Sequence, residues 1–253
     1  MTVDTVLVEA ADGIAVVTLN RPHKRNALDR TIMRELPVVM AALEARDDVR
    51  VVILTGADPA FCAGLDLVDA IAPGGVLVEP PSFAGAFFPS LTKPVIGAIN
   101  GAAYTGGLEL AMECDWLMAS ERAVFGDTHA KVGVQPGGGM TVRLPRLVGP
   151  GRARQMSATG LPIDAATALT WGLVTEVVPH DQLLLRAREL AAAVTAVDQP
   201  ALRGIWATYR GHQRDAEAAD LTRELAAGGV SSGRPGYDGD AIAARRDAML
   251  GKA

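Results

Sequence analysis

The stretch from Asn100 to Asp115, N-G-A-A-Y-T-G-G-L-E-L-A-M-E-C-D, constrains the fold more than any other part of the sequence. An apolar run, V-I-G-A-I at 95–99, precedes it and predicts a buried strand, since Lys93-Pro94 bounds the run. After Gly106-Gly107, the residues at 108–113 are strong helix formers. The stretch therefore predicts a strand, a glycine turn and a helix in direct succession.

The glycine turn predicts a point where free backbone amides and a carboxylate meet. Glycine lets the backbone approach a ligand closely, and the first amides of a helix have no partner within the helix, where the dipole favours negative charge. Glu109 follows Gly106 by about 4.5 Å along the helix axis at about 1.5 Å per residue. A half-buried carboxylate has a raised pKa, which suits proton transfer. The alternative is a turn that only permits close helix–strand packing, with Glu109 solvated.

Composition restricts the class of protein. A chain of 253 residues with 49% hydrophobic and 21% charged residues has the composition of a soluble globular protein and can bury one large domain, with or without a smaller appendage. A net charge of −5 argues against a general nucleic-acid surface. The histidines and the two cysteines, Cys62 and Cys114, lack metal-ligand spacing, so we expect no metal site and reduced thiols. A signal peptide and a membrane span are not predicted, and we expect a cytoplasmic protein.

Strand and helix patterns alternate along the first two thirds of the chain. Asp12-Gly13 between two apolar runs predicts a β-hairpin. Further strands are predicted at 50–54, 95–99, 116–119, 123–126 and 172–178. Helices are predicted at 30–46, capped by Asp29, and at 108–113, from about 140, 152–159, 164–171, 181–197, 200–209, 215–227 and 240–249. This alternation predicts an α/β core followed by a helical C-terminal region.

Two further segments resemble parts of a binding site. The sequence at 61–67, F-C-A-G-L-D-L, is a second glycine turn that could leave amides free beside a ligand. Residues 71–91 combine prolines and glycines with Phe83, Phe87 and Phe88, which predicts a mobile apolar loop over a pocket. The alternative is a poorly ordered surface excursion. We also expect a flexible stretch at 228–239.

Taken in order, these segments resemble the crotonase (enoyl-CoA hydratase/isomerase) family. The matching pieces span about residues 5–180 and include N-R-P at 20–22, F-C-A-G-L-D at 61–66, N-G at 100–101, G-G-L-E-L-A at 106–111 and P-G-G at 136–138. The resemblance implies an α/β fold, a spiral of ββα units over 1–190, and a helical region at 191–253 that takes part in oligomer packing and pocket closure. It also implies a homotrimer or dimer of trimers.

The resemblance assigns roles to individual residues. It implies an acyl-CoA substrate, with no other cofactor, whose thioester oxygen is held in an oxyanion hole made by the backbone amides of Leu65 and Gly106. It places Glu109 as an acid/base residue. The wall along the adenosine part of CoA would be formed by His23, Lys24, Arg25, Ala27, Ala63 and Asp66.

The sequence departs from the family pattern at one catalytic position. Hydratases of this family use two glutamates, and the second falls on His129, with Asp127 two residues earlier. An imidazole can exchange a proton near neutral pH, so a Glu109–His129 pair is chemically able to hydrate a 2-enoyl-CoA. The alternative is that His129 only lines the pocket. The resemblance predicts that the protein is an enoyl-CoA hydratase. Because His129 replaces the second glutamate, the alternatives are an isomerase, a hydrolase, a decarboxylase or a catalytically weak acyl-CoA-binding protein.

Overall fold

The computed structural model describes residues 4–73, 86–228, 238–249 and 251. The described strands are β1 (Val6–Ala11), β2 (Ile14–Leu19), β3 (Val51–Gly56), β4 (Ala60–Cys62), β5 (Val95–Ile99), β6 (Ala102–Tyr104), β7 (Trp116–Ser120), β8 (Val124–Gly126), β9 (Ile163–Asp164) and β10 (Glu176–Val178). The described α-helices are α1 (Arg30–Ala45), α2 (Leu67–Ala70), α3 (Gly106–Ala111), α4 (His129–Val132), α5 (Met140–Val148), α6 (Pro150–Thr159), α7 (Ala165–Trp171), α8 (Leu183–Ala196), α9 (Gln199–Gly228) and α10 (Gly239–Met249).

The strands form two sheets that share the same repeating unit. Within the described residues one sheet has the order β1-β2-β3-β5-β7-β10 and the other the order β4-β6-β8-β9. Each of the pairs β3/β4, β5/β6 and β7/β8 gives its first strand to the larger sheet and its second to the smaller one. A helix then follows each pair, α2, α3 and α4 in turn, and neighbouring units pair in parallel. The predicted α/β spiral of ββα units is confirmed.

The central strands of the larger sheet, β2, β3 and β5, are buried on both faces because they are apolar nearly throughout. Residues of β3 alternate between two clusters, with Val52 and Leu54 in the main core and Val51 and Ile53 in a second core. Helix α8 covers this second face with Leu183 and two alanines. The predicted hairpin is also confirmed: β1 pairs antiparallel with β2, and Asp12 and Gly13 at its turn have φ of 53° and 83°.

The predicted break between two C-terminal helices and the predicted extent of the last strand were wrong. The helices predicted at 200–209 and 215–227 are one continuous helix of 30 residues, α9. Gly211 between them costs a helix only about 1 kcal/mol, and the Arg210–Asp115 ion pair at 3.0 Å holds that region against the sheet. The strand predicted at 172–178 is restricted to β10, because Gly172 ends α7 at φ 83° and the next two residues pack in the core.

The two segments predicted to be flexible lie largely outside the described residues, which omit 74–85 and 229–237. Phe87 and Phe88, at the end of the first, are buried. Helix α10 follows the second and packs on α2 and α4, with Ile242 buried. In the described part of the chain, no helix has the length and apolar character to cross a membrane.

Candidate active site

A cavity of about 250 Å³ lies among α3, α4, α10 and the turn that leads into α5. Most of its lining is apolar, as in sites that bury a small organic ligand. The lining residues are Met33, Ala63, Leu65, Leu67, Phe87, Thr105, Gly106, Glu109, Thr128, His129, Val132, Val134, Gln135, Gly137, Gly138, Arg246 and Met249. The cavity therefore brings together five residues predicted from sequence, which are Ala63, Leu65, Gly106, Glu109 and His129.

The two glycine turns meet at the wall of this cavity. Leu28 pairs with the extended segment around Leu65: its amide donates to Gly64 O at 2.8 Å and its carbonyl accepts from Asp66 N at 2.9 Å. Because amides alternate in direction along an extended chain, the Leu65 N–H faces away from Leu28. A Cβ placed on Gly106 would lie 3.6 Å from Leu65 N. The two amides that the resemblance assigns to an oxyanion hole are therefore neighbours.

Thr105, which the sequence reasoning did not select, holds the turn in an unusual conformation. Its φ of 49° and ψ of −117° fall in a backbone region that residues other than glycine rarely adopt. Two backbone hydrogen bonds hold Thr105 in this conformation: Thr105 N donates to Gly126 O and Thr105 O accepts from Glu109 N, both at 2.9 Å. Gly106 follows as the first residue of α3, so its amide has no acceptor within the helix.

Glu109 is buried and tightly held. One carboxylate oxygen, Oε1, accepts from Gly138 N at 2.9 Å and Met140 N at 3.2 Å, at the start of α5. The other oxygen, Oε2, lies 3.7 Å from His129 Nε2. Burial raises the pKa of Glu109 above its usual value, and this effect outweighs the opposing charge of His129 and the two amide donors. The alternative of a solvated Glu109 is wrong, since only 3% of the residue is exposed.

His129 is oriented by Asp127, to which the sequence alone assigned no role. His129 Nδ1 lies 2.7 Å from Asp127 Oδ1, and the His129 amide donates to the same oxygen at 3.2 Å. Since an ionised carboxylate only accepts hydrogen bonds, Nδ1 carries the proton shared with Asp127, and Nε2 faces Glu109. Asp127 and Thr128 form the short link between β8 and α4, and His129 is the first residue of α4, so this link places both side chains.

The charges around His129 decide its protonation. Burial lowers the pKa of His129, but the Asp127 hydrogen bond and the charges of Glu109 and Asp127 outweigh burial and raise it. Burial raises the pKa of Asp127, but the opposing effects, led by its hydrogen bond to His129, outweigh burial. The pKa of Asp127 therefore lies below its usual value, and Asp127 stays ionised. The site therefore favours an imidazolium held between two carboxylates.

The remaining residues assigned to the CoA wall lie outside the cavity lining. His23 and Lys24 belong to an exposed 3-10 turn, Pro22–Lys24, and Arg25 follows it. Ala27 is buried. Asp66 pairs with Arg21 at 3.1 Å and caps α2 by accepting from Val68 N at 3.2 Å. Their predicted contact with CoA stays a prediction.

A Ser–His–Asp arrangement lies elsewhere in the molecule. His180 bridges Ser120 Oγ at 3.0 Å and Asp58 Oδ2 at 3.1 Å. Ser120 is fully buried, with 0% exposure, and its hydroxyl also accepts from Arg122 N. A substrate cannot reach this hydroxyl, so the arrangement ties the end of β7 to two loops and is not a nucleophilic site.

Comparisons with known proteins give matches over most of the chain. The profile of the family described as enoyl-CoA hydratase/isomerase matches residues 9–227. A probable peroxisomal enoyl-CoA hydratase 1 of Arabidopsis thaliana is 41% identical over 74% of this chain and 71% of its own length. A short-chain-enoyl-CoA hydratase of Clostridium acetobutylicum is 37% identical over 87% and 86% of the two chains.

The chain also matches solved structures. The crystal structure of an enoyl-CoA hydratase from Mycobacterium tuberculosis superposes with a TM-score of 0.82 at 49% identity, over 89% of this chain and 96% of that one. The relatives match the chain over most of their own lengths. One of them is peroxisomal by name, so the cytoplasmic location of this chain stays a prediction.

Proposed function

Since the chain belongs to the enoyl-CoA hydratase/isomerase family and is an enzyme of the enoyl-CoA hydratase type, we propose that it adds water reversibly across the C2–C3 double bond of a 2-enoyl-CoA with Glu109 and His129 as its acid/base pair. The observation that supports this most directly is the 3.7 Å approach of Glu109 Oε2 to His129 Nε2 in the cavity wall. Both groups can thereby reach one face of a bound acyl group.

The thioester carbonyl accepts hydrogen bonds from the Leu65 and Gly106 amides. Their proximity, with 3.6 Å between a Cβ on Gly106 and Leu65 N, supports one oxygen bound between the two donors. As negative charge develops on that oxygen, each such donor contributes about 10²–10³ in rate in comparable sites. The amides are fixed by the backbone before substrate binds, so little reorganisation is needed.

Water addition then proceeds with a balanced set of proton transfers. Water oxygen attacks C3 while Glu109 Oε2 accepts one water proton, and the π electrons of the double bond move to the thioester oxygen as an enolate. The enolate collapses to the carbonyl and takes a proton at C2 from His129 Nε2–H. Glu109 returns the accepted proton to His129 across the short gap between them. The net result is one hydroxyl at C3 and one hydrogen at C2.

We also infer a homotrimer or dimer of trimers, with the basic turn at 23–25 lying along the adenosine phosphates of CoA. Support for assembly comes from exposed apolar side chains such as Ile205 and Tyr209 of α9, which are 51% and 65% exposed. Lys24 and Arg25 support the CoA contact, since local cations suit phosphates despite the net acidity of the chain.

Thioester hydrolysis is a second candidate, favoured by one observation. Asp127 orients His129 through Nδ1, which is the arrangement that activates a histidine as a base in many hydrolases. Attack of water on the thioester carbon would expel the CoA thiol, whereas hydration at C3 leaves the thioester intact. Release of free thiol therefore distinguishes the two reactions.

The test uses crotonyl-CoA and longer 2-enoyl-CoA thioesters, following loss of the conjugated double bond and, separately, release of free thiol. Glu109→Gln and His129→Ala should each lower turnover by about 10²–10⁴ while CoA binding persists. Glu121→Gln, which changes an exposed glutamate on a turn, is the matched control and should match the wild type. Wild-type turnover in a folded Glu109→Gln or His129→Ala protein would overturn the assignment of that residue.

A further inference from the structure

Helix α5 begins without a capping side chain of its own. Its N-cap residue is Gly139, and no local side chain accepts from the first amides of the helix. Glu224, on α9, takes this role from 83 residues away: it accepts from Gly139 N and Thr141 N at 2.6 Å each and also from the Thr141 hydroxyl. Buried amides at a helix start need such acceptors, and an anion is favoured there by the helix dipole.

The same short segment also holds the proposed acid/base residue. Gly138 N and Met140 N donate to Glu109, whereas Gly139 N and Thr141 N donate to Glu224. Four consecutive amides therefore alternate between two buried carboxylates, one on each side of the backbone. Any displacement of the segment away from Glu224 moves the donors that fix Glu109.

Helix α9 makes a second connection to this segment. Arg143 donates to Gly138 O at 3.0 Å and to Glu217 at 3.2 Å, and Glu217 lies on α9 two turns before Glu224. Both glutamates and Arg143 are buried. The segment 138–141 is thus held on α9 through two glutamates.

We propose that Glu224 is a positioning residue: by holding 138–141, it sets the Glu109 carboxylate against His129. This inference rests on the proposed hydration, in which those two groups transfer the protons. Glu224 lines neither the cavity nor the proposed path of the protons. It acts through the Gly138 and Met140 amides and through its own buried charge.

The charge of Glu224 gives the proposal a readout that a purely structural role would not move. Burial raises the pKa of Glu109 most, and the Glu224 charge raises it further. Burial lowers the pKa of His129, while Asp127, Glu109 and the Glu224 charge raise it. Removing this charge should lower both values, whereas a shorter carboxylate should retain the charge and lose the geometry.

The experiment compares Glu224→Gln, Glu224→Asp and Asp220→Asn in the full chain. Asp220 lies one turn earlier on α9, is 44% exposed and pairs with Arg146, so Asp220→Asn removes an equal charge without touching the segment. We expect Glu224→Gln and Glu224→Asp to lower kcat about ten- to a hundredfold with KM little changed, because the donors to Glu109 shift. Asp220→Asn should retain wild-type kcat.

An NMR titration of the imidazole protons follows His129 without any turnover. The chain has four histidines, so comparison with His129→Gln assigns the signal. The His129 pKa should fall in Glu224→Gln and stay near the wild-type value in Glu224→Asp and Asp220→Asn. Wild-type kcat in both Glu224 variants, or an unmoved His129 pKa in Glu224→Gln, would overturn the proposal. A wild-type enzyme that does not hydrate 2-enoyl-CoA would disprove the proposed hydration, whereas a hydrating wild type with unchanged kcat in both Glu224 variants would disprove only the positioning role.

Discussion

Oε2 of Glu109 lies 3.7 Å from Nε2 of His129, and each of the two side chains is held from behind by a different partner. The Gly138 and Met140 amides hold Glu109, and the Asp127 carboxylate holds His129. A carboxylate and an imidazole so close together titrate as a pair, and their apparent pKa values belong to both groups. The opposing charges favour the ionised carboxylate beside the imidazolium, which is the form that the proposed hydration requires.

Turnover should depend on pH with a maximum between two ionisations. Burial raises the pKa of Glu109 above 4.5, so kcat should fall on the acidic side, where the carboxylate is protonated and cannot accept a proton from water. Although burial lowers the pKa of His129, Asp127 and Glu109 raise it above 6.5, so kcat should fall on the alkaline side, where the imidazolium is lost. A kcat–pH profile tests this, and a rate that keeps rising through the alkaline range would contradict the proton-donor role of His129.

Asp127→Asn should lower kcat by about 10²-fold, because a neutral amide no longer stabilises the imidazolium through Nδ1–H. The His129 pKa should also fall, since one negative charge leaves its immediate surroundings. Steady-state kinetics and the histidine NMR titration measure the two effects. Asp47→Asn changes an exposed aspartate and serves as the control. An unchanged kcat would show that Asp127 does not orient a reacting group.

Gly106→Ala should retain the fold and lose activity. A Cβ at this position meets only ordinary contacts, the nearest being Leu28 and Leu65 N at 3.6 Å, but it would occupy space beside the two amides. We expect kcat to fall by about 10²–10³, the contribution of one oxyanion donor, with little change in melting temperature.

The neighbouring position provides the contrast. A Cβ on Gly107 would lie 2.1 Å from the backbone oxygen of Cys62, so Gly107→Ala should lower stability itself. Thermal unfolding together with kcat separates the two variants. Wild-type activity in Gly106→Ala would argue against an oxygen bound between Leu65 and Gly106.

Stability should fall as pH rises through the titration of Glu113. Burial raises the pKa of Glu113 to about 8, against the opposing effects of Arg143 and the Phe87 amide. The pKa of Glu113 is higher in the folded protein than in the unfolded chain. Its contribution to the free energy of unfolding is therefore complete below the unfolded pKa and is lost as pH rises towards about 8.

Urea unfolding at several pH values across this window tests the effect. Glu113→Gln cannot ionise, so its free energy of unfolding should depend less on pH in the same range. An identical pH dependence in the wild type and Glu113→Gln would show that Glu113 does not titrate there.

Several features of the fold and one part of the site follow from local sequence, because the residues that determine each of them lie close together in the chain. The strand, glycine turn and helix around Gly106 place Glu109 one turn past a free amide. Elsewhere, the Asp29 carboxylate caps α1 by accepting from the Thr31 and Ile32 amides. The hairpin at Asp12-Gly13 has the same origin. Apolar periodicity, caps and glycine turns act over short separations, so the sequence alone predicts them.

The functional geometry depends on contacts between distant segments, and only the tertiary structure determined it. The resemblance to the family pointed to His129, but the packing of the β8–α4 link against α3 decided that Nδ1 meets Asp127 and Nε2 meets Glu109. Likewise, nothing near Glu224 indicates that it caps α5, which begins 84 residues earlier at Met140. Helix α9 continues through Gly211 because packing against the sheet outweighs a weak local preference to end. Burial, and with it the pKa of each of these groups, arises only when the chain has packed.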